Sequence, residues 1–437
     1  MGINDIVSKH IIKKNQKATE VNMKYNQSCI PLYLTPKTPI VFTLELTSAC
    51  NHNCVGCGNV FPYKNKWLSE FDWEWILDKI KPYAESLRIT GGECSLHPNF
   101  YNIIKHIDRL EIPYVIFSNG NWEFPHKTVE FFKSCRFFDG LLISLHGCSA
   151  KSHEAYVSTN TFDNVVKNIK LVVKNGINVG TNTVLNKHNI NEIYNIISFA
   201  KNLGVSSIAF SRFYGAPIHG FELHESEIKS ALNIIMDEHE QDESIIINNC
   251  VPVCFTGRNI STKGCTSGFT HCTIDPTGIV RPCTHSQYKL GSIFQQSVEE
   301  IWASKKLKKW RNLVPLECLE CASFDDCRGG CRANAIQRGL KEDPLMKGPI
   351  HQLEYNEFEN VEIYRYACPH SAFKVRRENF GFFLINRGCH LAVKYDALPI
   401  IEAIDGNTTM DEIFTKFGQV GIDFIGNLAY EGLVDIY

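Results

Sequence analysis

No sign of charge dominates this sequence of 437 residues: 45 Lys and Arg stand against 47 Asp and Glu, a net charge of −2. A nucleic-acid groove or a polybasic membrane surface needs a cationic excess, so neither nucleic acid nor an anionic membrane is an expected partner. Long apolar runs are lacking too. No stretch reaches the roughly 18 residues of a membrane span. The start, MGINDIVSKHIIKKNQ, is amphipathic and lysine-dotted where an export signal has a continuous apolar core. Ile6 stands where the myristoylation pattern needs Ser or Thr. There is no internal repeat and no low-complexity segment, and 44% apolar with 21% charged residues is ordinary globular composition. At about 150 residues per domain, the expectation is a cytoplasmic protein of two or three domains.

What the sequence does have is cysteine, 18 residues of it. Cytosolic thiols stay reduced, and a chain of this length buries a core without covalent staples, so clustered cysteines point to metal rather than to disulfides.

From Val41 to Phe213 short β-branched runs alternate with amphipathic stretches. The predicted strands are Val41–Thr47, Leu87–Thr90, Tyr114–Ser118, Leu141–Leu145, Asn178–Leu185 and Ser206–Arg212, with helices over Ser69–Lys79, Asn99–Arg109, Asp163–Lys174 and Ile190–Asn202. Six β-α units in series imply an α/β fold with a parallel sheet. Six is short of the eight of a closed TIM barrel, so a partial (β/α)6 barrel is expected, with chemistry at the C-terminal ends of its strands. Residues 1–39 read as an N-terminal extension, 40–215 as the barrel, 216–249 as a linker, 250–375 as a cysteine-rich domain interrupted by a helix over Val298–Leu313, and 376–437 as a small separate domain.

Cys50-Asn-His-Asn-Cys54-Val-Gly-Cys57 follows the first strand. Three thiolates on one tight loop suit a 4Fe-4S cube and leave its fourth iron open. The alternative is a zinc knuckle with His52 as fourth ligand. After the second strand comes Gly91-Gly92-Glu93, two glycines admitting a close backbone approach and a carboxylate able to hold an ammonium. Together the two motifs resemble the radical S-adenosylmethionine (radical SAM) superfamily, over residues 40–215. The resemblance implies that Cys50, Cys54 and Cys57 ligate the cluster, that SAM chelates the open iron, and that Gly91, Gly92 and Glu93 hold its methionyl ammonium. Ser144, Asn182 and Arg212 match further SAM-contacting positions. The residue before the third cysteine, aromatic in most of the family, is Gly56, so adenine support has to come from elsewhere, with Val55 and Phe210 as candidates.

The second cysteine group, Cys265 with Gly278 and Cys283, then Cys318-x2-Cys321-x5-Cys327-x3-Cys331 and finally Cys368, is similar to the SPASM auxiliary-cluster domain, and Cys272 supplies an eighth thiol. Eight thiolates fill two further 4Fe-4S clusters. The resemblance implies that Cys265, Cys272, Cys283 and Cys331 hold the nearer cluster and Cys318, Cys321, Cys327 and Cys368 the farther, with Cys250 or Cys254 in reserve should Cys272 not ligate. Two four-thiolate zinc sites would use the same ligand count. The seven cysteines left over, Cys29, Cys94, Cys135, Cys148, Cys250, Cys254 and Cys389, read as small apolar residues, Cys94 being the one placed to line the active site.

The C-terminal run, with a hairpin over GFFLIN and HLAVKYD, a helix over Ala397–Ile404, a cap at Thr409-x-x-Glu412, a further helix over Phe424–Tyr430 and a closing strand at Leu433–Tyr437, resembles the PqqD-like, winged-helix peptide-recognition domain. Such modules bind by strand addition. These resemblances imply an enzyme that modifies a ribosomally made precursor peptide, using three 4Fe-4S clusters, S-adenosyl-L-methionine and an electron donor such as flavodoxin or ferredoxin. Formylglycine formation, as in anaerobic sulfatase maturases, is an alternative that expects no leader-binding domain; a non-catalytic iron–sulfur electron-transfer scaffold is another. Glu45, Asp139 and His146 are acid/base candidates without an assigned role.

Overall fold

The computed structural model describes residues 9–12, 35–59, 61–215, 218–248, 251–257, 265–351, 361–386 and 389–437. The chain forms two compact units, Thr38–Glu354 and a second made of Met1–Lys37 with Tyr355–Tyr437.

In the larger unit the predicted alternation is realised. The elements run β1 (Val41–Glu45), α1 (Glu70–Ile80), β2 (Ser86–Thr90), α2 (Phe100–Arg109), β3 (Tyr114–Ser118), α3 (Pro125–Lys133), β4 (Phe138–Ser144), α4 (Ala150–Val157), α5 (Phe162–Lys174), β5 (Val179–Val184), α6 (Ile193–Leu203) and β6 (Ser207–Ser211). Ser69 caps α1 as its sequence implies, accepting from Asp72 N–H while Asp72 bonds back to Ser69 N–H. Two helices, α3 and α4, were not predicted; Pro125 at the first turn of α3 and Ser149 capping α4 were their signals.

The expected linker is a further βα unit of the barrel. α7 (Glu225–Gln241) leads into β7 (Ile245–Asn248), which pairs parallel with β6. On the other side of β1 the cysteine-rich region adds β8 (His271–Ile274), also parallel, then β9 (Ile279–Arg281) and β10 (Gly291–Ser292), both antiparallel. The result is one ten-stranded sheet in the order β10-β9-β8-β1-β2-β3-β4-β5-β6-β7, a partial TIM-type barrel. Neither expected boundary, at 216 or at 250, divides it.

Alternation gives this sheet two unlike faces. Phe42, Leu44, Leu87, Ile89, Cys272 and Ile274 pack under the helices with Trp73, Ile76, Leu77, Ile103 and Ile107, each such burial contributing about 1.5–3 kcal/mol. The opposite face carries Thr43, Glu45, Arg88, His271 and Arg281, which the strand register places side by side.

Beyond the sheet come α8 (Val253–Thr256), α9 (Val298–Trp302), α10 (Lys305–Arg311), a short helical turn at Leu316–Glu320, α11 (Phe324–Cys327) and α12 (Arg332–Gln337). The single helix predicted over Val298–Leu313 is two, because Ser304 caps the second by accepting from Leu307 N–H at 3.2 Å.

In the C-terminal unit β11 (Pro369–Ser371) pairs with the last strand, β15 (Val434–Ile436). The predicted hairpin is β13 (Gly381–Asn386) with β14 (Cys389–Lys394), and β12 (Lys374–Arg377) joins it to make three antiparallel strands. α13 (Leu398–Glu402) and α14 (Met410–Tyr430) cover the sheet; Thr409 and Glu412 form the predicted capping box, and the two helices expected after it run on from one another across a break at Gly418, φ 65°.

Candidate active site

β1 ends at Glu45, so the loop carrying Cys50, Cys54 and Cys57 stands at the C-terminal end of the sheet, as expected. Its shape does not depend on the thiols. Asn53 N–H donates to Val157 O at 3.1 Å, Val55 N–H to Tyr156 O at 2.9 Å and Tyr156 O–H to Gly56 O at 2.7 Å, so the end of α4 grips the loop from behind. His52 N–H and the Asn119 amide both lie against Cys50 Sγ, at 3.4 and 3.8 Å.

The three thiols feel one another. Burial pushes Cys50 up to about 11, with Glu93 and Cys57 adding to it against the His52 N–H. Burial also raises Cys54, reinforced by Cys57 and Cys50. Thiolates so placed need a cationic partner, and three soft sulfurs on one loop fit the iron–sulfur cube. Among the described residues no three His, Cys, Asp or Glu side chains close on a single point as one metal ion requires, so the fit rests on donor chemistry and loop placement. The His52 ring, the fourth ligand of the zinc alternative, is buried against His153, with ring centroids 6.4 Å apart.

Gly91 and Gly92 are glycines for a backbone reason. A Cβ on either would collide with the carbonyl of Thr47 or Ala49, and their closeness lets Gly92 N–H reach Thr47 O and Glu93 N–H reach Ala49 O, both at 2.7 Å. The segment after β2 is thereby fastened to the stem of the cysteine loop. Glu93, 1% exposed, accepts from Ser95 N–H and O–H, Ser118 O–H and Asn119 N–H between 2.7 and 3.2 Å. Its carboxylate fixes Ser118 and Asn119, and through Asn119 it reaches Cys50.

Ser144, at the end of β4, is the register neighbour of Asn182 within β5, and Asn182 Oδ1 accepts from Ser211 O–H at 2.7 Å. Arg212 has a partner the sequence did not indicate. Its guanidinium makes a bidentate pair with Asp343, both contacts 2.9 Å, and Asp343 also accepts from Cys331 N–H and Leu345 N–H. It therefore joins the barrel to the cysteine-rich region instead of standing open to SAM.

Phe210, a candidate for adenine support, is fully buried among the side chains of α6 and α7. The aromatic ring beside the loop is that of Phe213, which fills the space a side chain at position 56 would need. Of the acid/base candidates, Asp139 sits at the start of β4, the wrong end of the strand. Glu45 is at the right end but paired with Arg281; burial pushes it up to about 7 against that guanidinium. His146 is buried against Tyr156, with centroids 4.4 Å apart.

Buried imidazoles are a cost at low pH. Burial holds His153 down at about 4 and His271, hydrogen-bonded to Thr43 O–H at 2.7 Å, at about 3. Both favour the fold fully above about pH 6.5, where the unfolded chain is neutral too, and that contribution is lost as the pH falls through the window toward the folded values. Between pH 6.5 and 5 each should remove about 2 kcal/mol. Urea denaturation at pH 7 and pH 5 tests this; an unchanged midpoint would contradict it.

For the nearer auxiliary site, burial pushes Cys283 up to about 12, with Cys331 and Cys265 adding to it, which brings three of the four expected ligands together. Cys272 is not with them. Its register partner is Phe42, and it packs under the helices, whereas Cys283 lies near Arg88 of the opposite face; Cys272 is raised by burial alone. Alternation along His271-Cys272-Thr273-Ile274 carried that signal. Cys318, Cys321 and Cys327 of the farther site share a cavity lined also by Cys254. Cys368 belongs to the C-terminal unit, where its N–H donates to Tyr437 O at 2.9 Å. Cys94 is fully buried, Cys135 and Cys148 are partly exposed, and Cys29 and Cys250 lie outside the described residues, as does the side chain of Cys389.

Residues 44–200 match the family described as the radical SAM superfamily, and residues 265–331 the SPASM family, an iron-sulfur cluster-binding domain. Among curated proteins, an AdoMet-dependent heme synthase of Methanosarcina barkeri is 24% identical over 70% of this chain and 95% of its own length. The mycofactocin maturase MftC of Mycobacterium tuberculosis is 23% identical over 70% and 81%. Among solved structures, Streptococcus suis SuiB, also solved bound to its precursor peptide SuiA, shares the fold with a TM-score of 0.59 at 18% identity, covering 72% of this chain and 78% of its own.

Proposed function

Because this chain is a radical SAM enzyme carrying a SPASM iron–sulfur domain, we propose that its substrate is a ribosomally made precursor peptide, into which it installs a thioether, a carbon crosslink or a similar modification. The observation that carries the reading is the C-terminal unit, with its three-stranded antiparallel sheet, β12 to β14, backed by α13 and α14. β14 is the outer strand of that sheet among the described residues, the place where an extended leader peptide would add as a fourth strand. MftC and SuiB, a maturase and a protein crystallised with a precursor peptide, support the same substrate class.

Cys50, Cys54 and Cys57 would hold a 4Fe-4S cluster, which when bound would supply the one-electron reduction of SAM to methionine and a 5′-deoxyadenosyl radical able to take hydrogen from the substrate. The chain's own residues do the rest. α4 and Gly91–Glu93 hold the cysteine loop in place, Ser144 and Asn182 offer polar contacts on β4 and β5, and Phe213 supplies an apolar surface beside Gly56. The SPASM thiols would hold auxiliary clusters able to take up the electron that net oxidation of the peptide releases, and a flavodoxin or ferredoxin would supply the first electron.

The heme synthase match favours a second reading, modification of a heme precursor. The deciding test is anaerobic incubation of the reconstituted enzyme with SAM, a chemical reductant and any short peptide that a neighbouring gene encodes. A peptide lighter by two hydrogens per bond formed, with 5′-deoxyadenosine released in step, is the expected result. Conversion of a cysteine or serine to formylglycine would transfer the reading to the sulfatase-maturase class, and turnover of a heme precursor alone would overturn it.

A further inference from the structure

The family pattern places the last ligand of the farther auxiliary cluster at Cys368, but the larger unit already brings four thiols to that site. Cys254 is carried by α8, Cys318 by the turn Leu316–Glu320, Cys321 follows that turn, and Cys327 closes α11. All four line one cavity, walled by Pro252, Phe324 and Met346.

Two backbone donors are aimed at sulfur in this cavity. Lys347 N–H donates to Cys254 Sγ and Ile350 N–H to Cys321 Sγ, both at 3.3 Å. Hydrogen bonds of this kind stabilise charge on cluster sulfurs. Met346 Sδ lies 3.6 Å from Cys318 Sγ and closes the cavity with soft, apolar surface. The thiols are also within electrostatic reach of one another. Cys318 has Cys327, Cys321 and Cys254 as charge neighbours, and Cys254 has Cys327 and Cys321. Four mutually opposed thiolates in one apolar cavity need a cationic group between them, and all-sulfur ligation suits an iron–sulfur cube. Cys368, by contrast, is engaged locally, its Sγ 3.5 Å from Asn407 O and 3.9 Å from Tyr366 O.

We propose that Cys254, Cys318, Cys321 and Cys327 form the complete ligand set of the farther auxiliary cluster, held within residues 38–354, and that Cys368 is not a ligand. This rests on the iron–sulfur reading of the cysteine-rich domain, which the experiment checks separately. Full-length Cys254→Ala, Cys318→Ala and Cys368→Ala are reconstituted anaerobically, and iron per chain and the EPR spectrum of the reduced protein are recorded for each.

The expected result is that Cys254→Ala and Cys318→Ala lose the same signal, with one to about four irons missing, while Cys368→Ala matches the parent. The signal of the Cys50/Cys54/Cys57 cluster, read in the same samples, should persist and so separate loss of one site from general misfolding. Should Cys254→Ala disturb the fold, Cys254→Ser preserves its shape and should still shift the spectrum of that cluster alone. Iron fully retained in Cys254→Ala, an unshifted spectrum in Cys254→Ser, or iron lost in Cys368→Ala overturns the assignment. Iron retained in Cys318→Ala would instead bring down the cluster reading of this site as a whole.

Discussion

Replacing Cys50, Cys54 and Cys57 together by alanine should remove about four irons per chain and abolish SAM cleavage, while leaving the chain folded. The loss follows from chemistry: with no thiolate on the loop nothing ties a cluster to the C-terminal end of β1, and SAM has no open iron to meet. The survival of the fold follows from geometry. The loop is held by backbone bonds to Val157 and Tyr156, by the Tyr156 hydroxyl on Gly56 and by the Gly92 and Glu93 amides on Thr47 and Ala49, none of which involves sulfur. Circular dichroism should therefore match the parent, and removing three thiols that repel one another as thiolates leaves no charge stranded. Iron analysis and chromatographic detection of 5′-deoxyadenosine check both halves. Persistent 5′-deoxyadenosine would mean that the loop is not the site of cleavage.

Arg212→Ala should destabilise the fold by about 3–5 kcal/mol. The Arg212 and Asp343 side chains are 4% and 0% exposed. Burial works against the arginine charge, and the Asp343 carboxylate overcomes it, holding the guanidinium pKa above its ordinary value. Taking the arginine away leaves a buried carboxylate with only the Cys331 and Leu345 amides for support. The partner variant Asp343→Ala should be costly too, and the double variant should cost much less than the sum, since neither charge is then left alone. Anaerobic urea denaturation of the three variants closes the cycle. Strict additivity would show that the pair is not coupled. Because Asp343 also positions Cys331, Arg212→Ala should disturb the spectrum of the nearer auxiliary cluster as well.

The sequence made local features legible and left lateral ones hidden. Short β-branched and aromatic runs such as Val41–Glu45 and Tyr114–Ser118 announced strands because such side chains suit a buried pleated surface, and Ser69 with Asp72, or Thr409 with Glu412, announced helix starts because capping is decided within four residues. The cysteine loop was legible for the same reason. Partners far apart in sequence were not. Arg212 and Asp343 are separated by 131 residues, and Cys254 precedes the three thiols it joins by more than the length of a local motif. Residues 216–249 read as a linker because nothing local says that Ile245–Asn248 extends the barrel sheet. Cys272 shows a different failure. Its alternation with Thr273 placed it on the apolar face, but a count of cysteines gave it to the metal.

The position of β8 beside β1 bears on how the protein is made. Thr43 and His271, bonded across these strands, lie 228 residues apart in sequence, so the strand that aims the cysteine loop waits for its second neighbour until more than half of the chain has left the ribosome. Closing so long a loop is slow to reward its entropy cost. Until then the nascent barrel carries β1 as an open edge, available to another chain's backbone. Overexpression at lower temperature, where elongation and collision both slow, should therefore raise the soluble yield more than longer induction does.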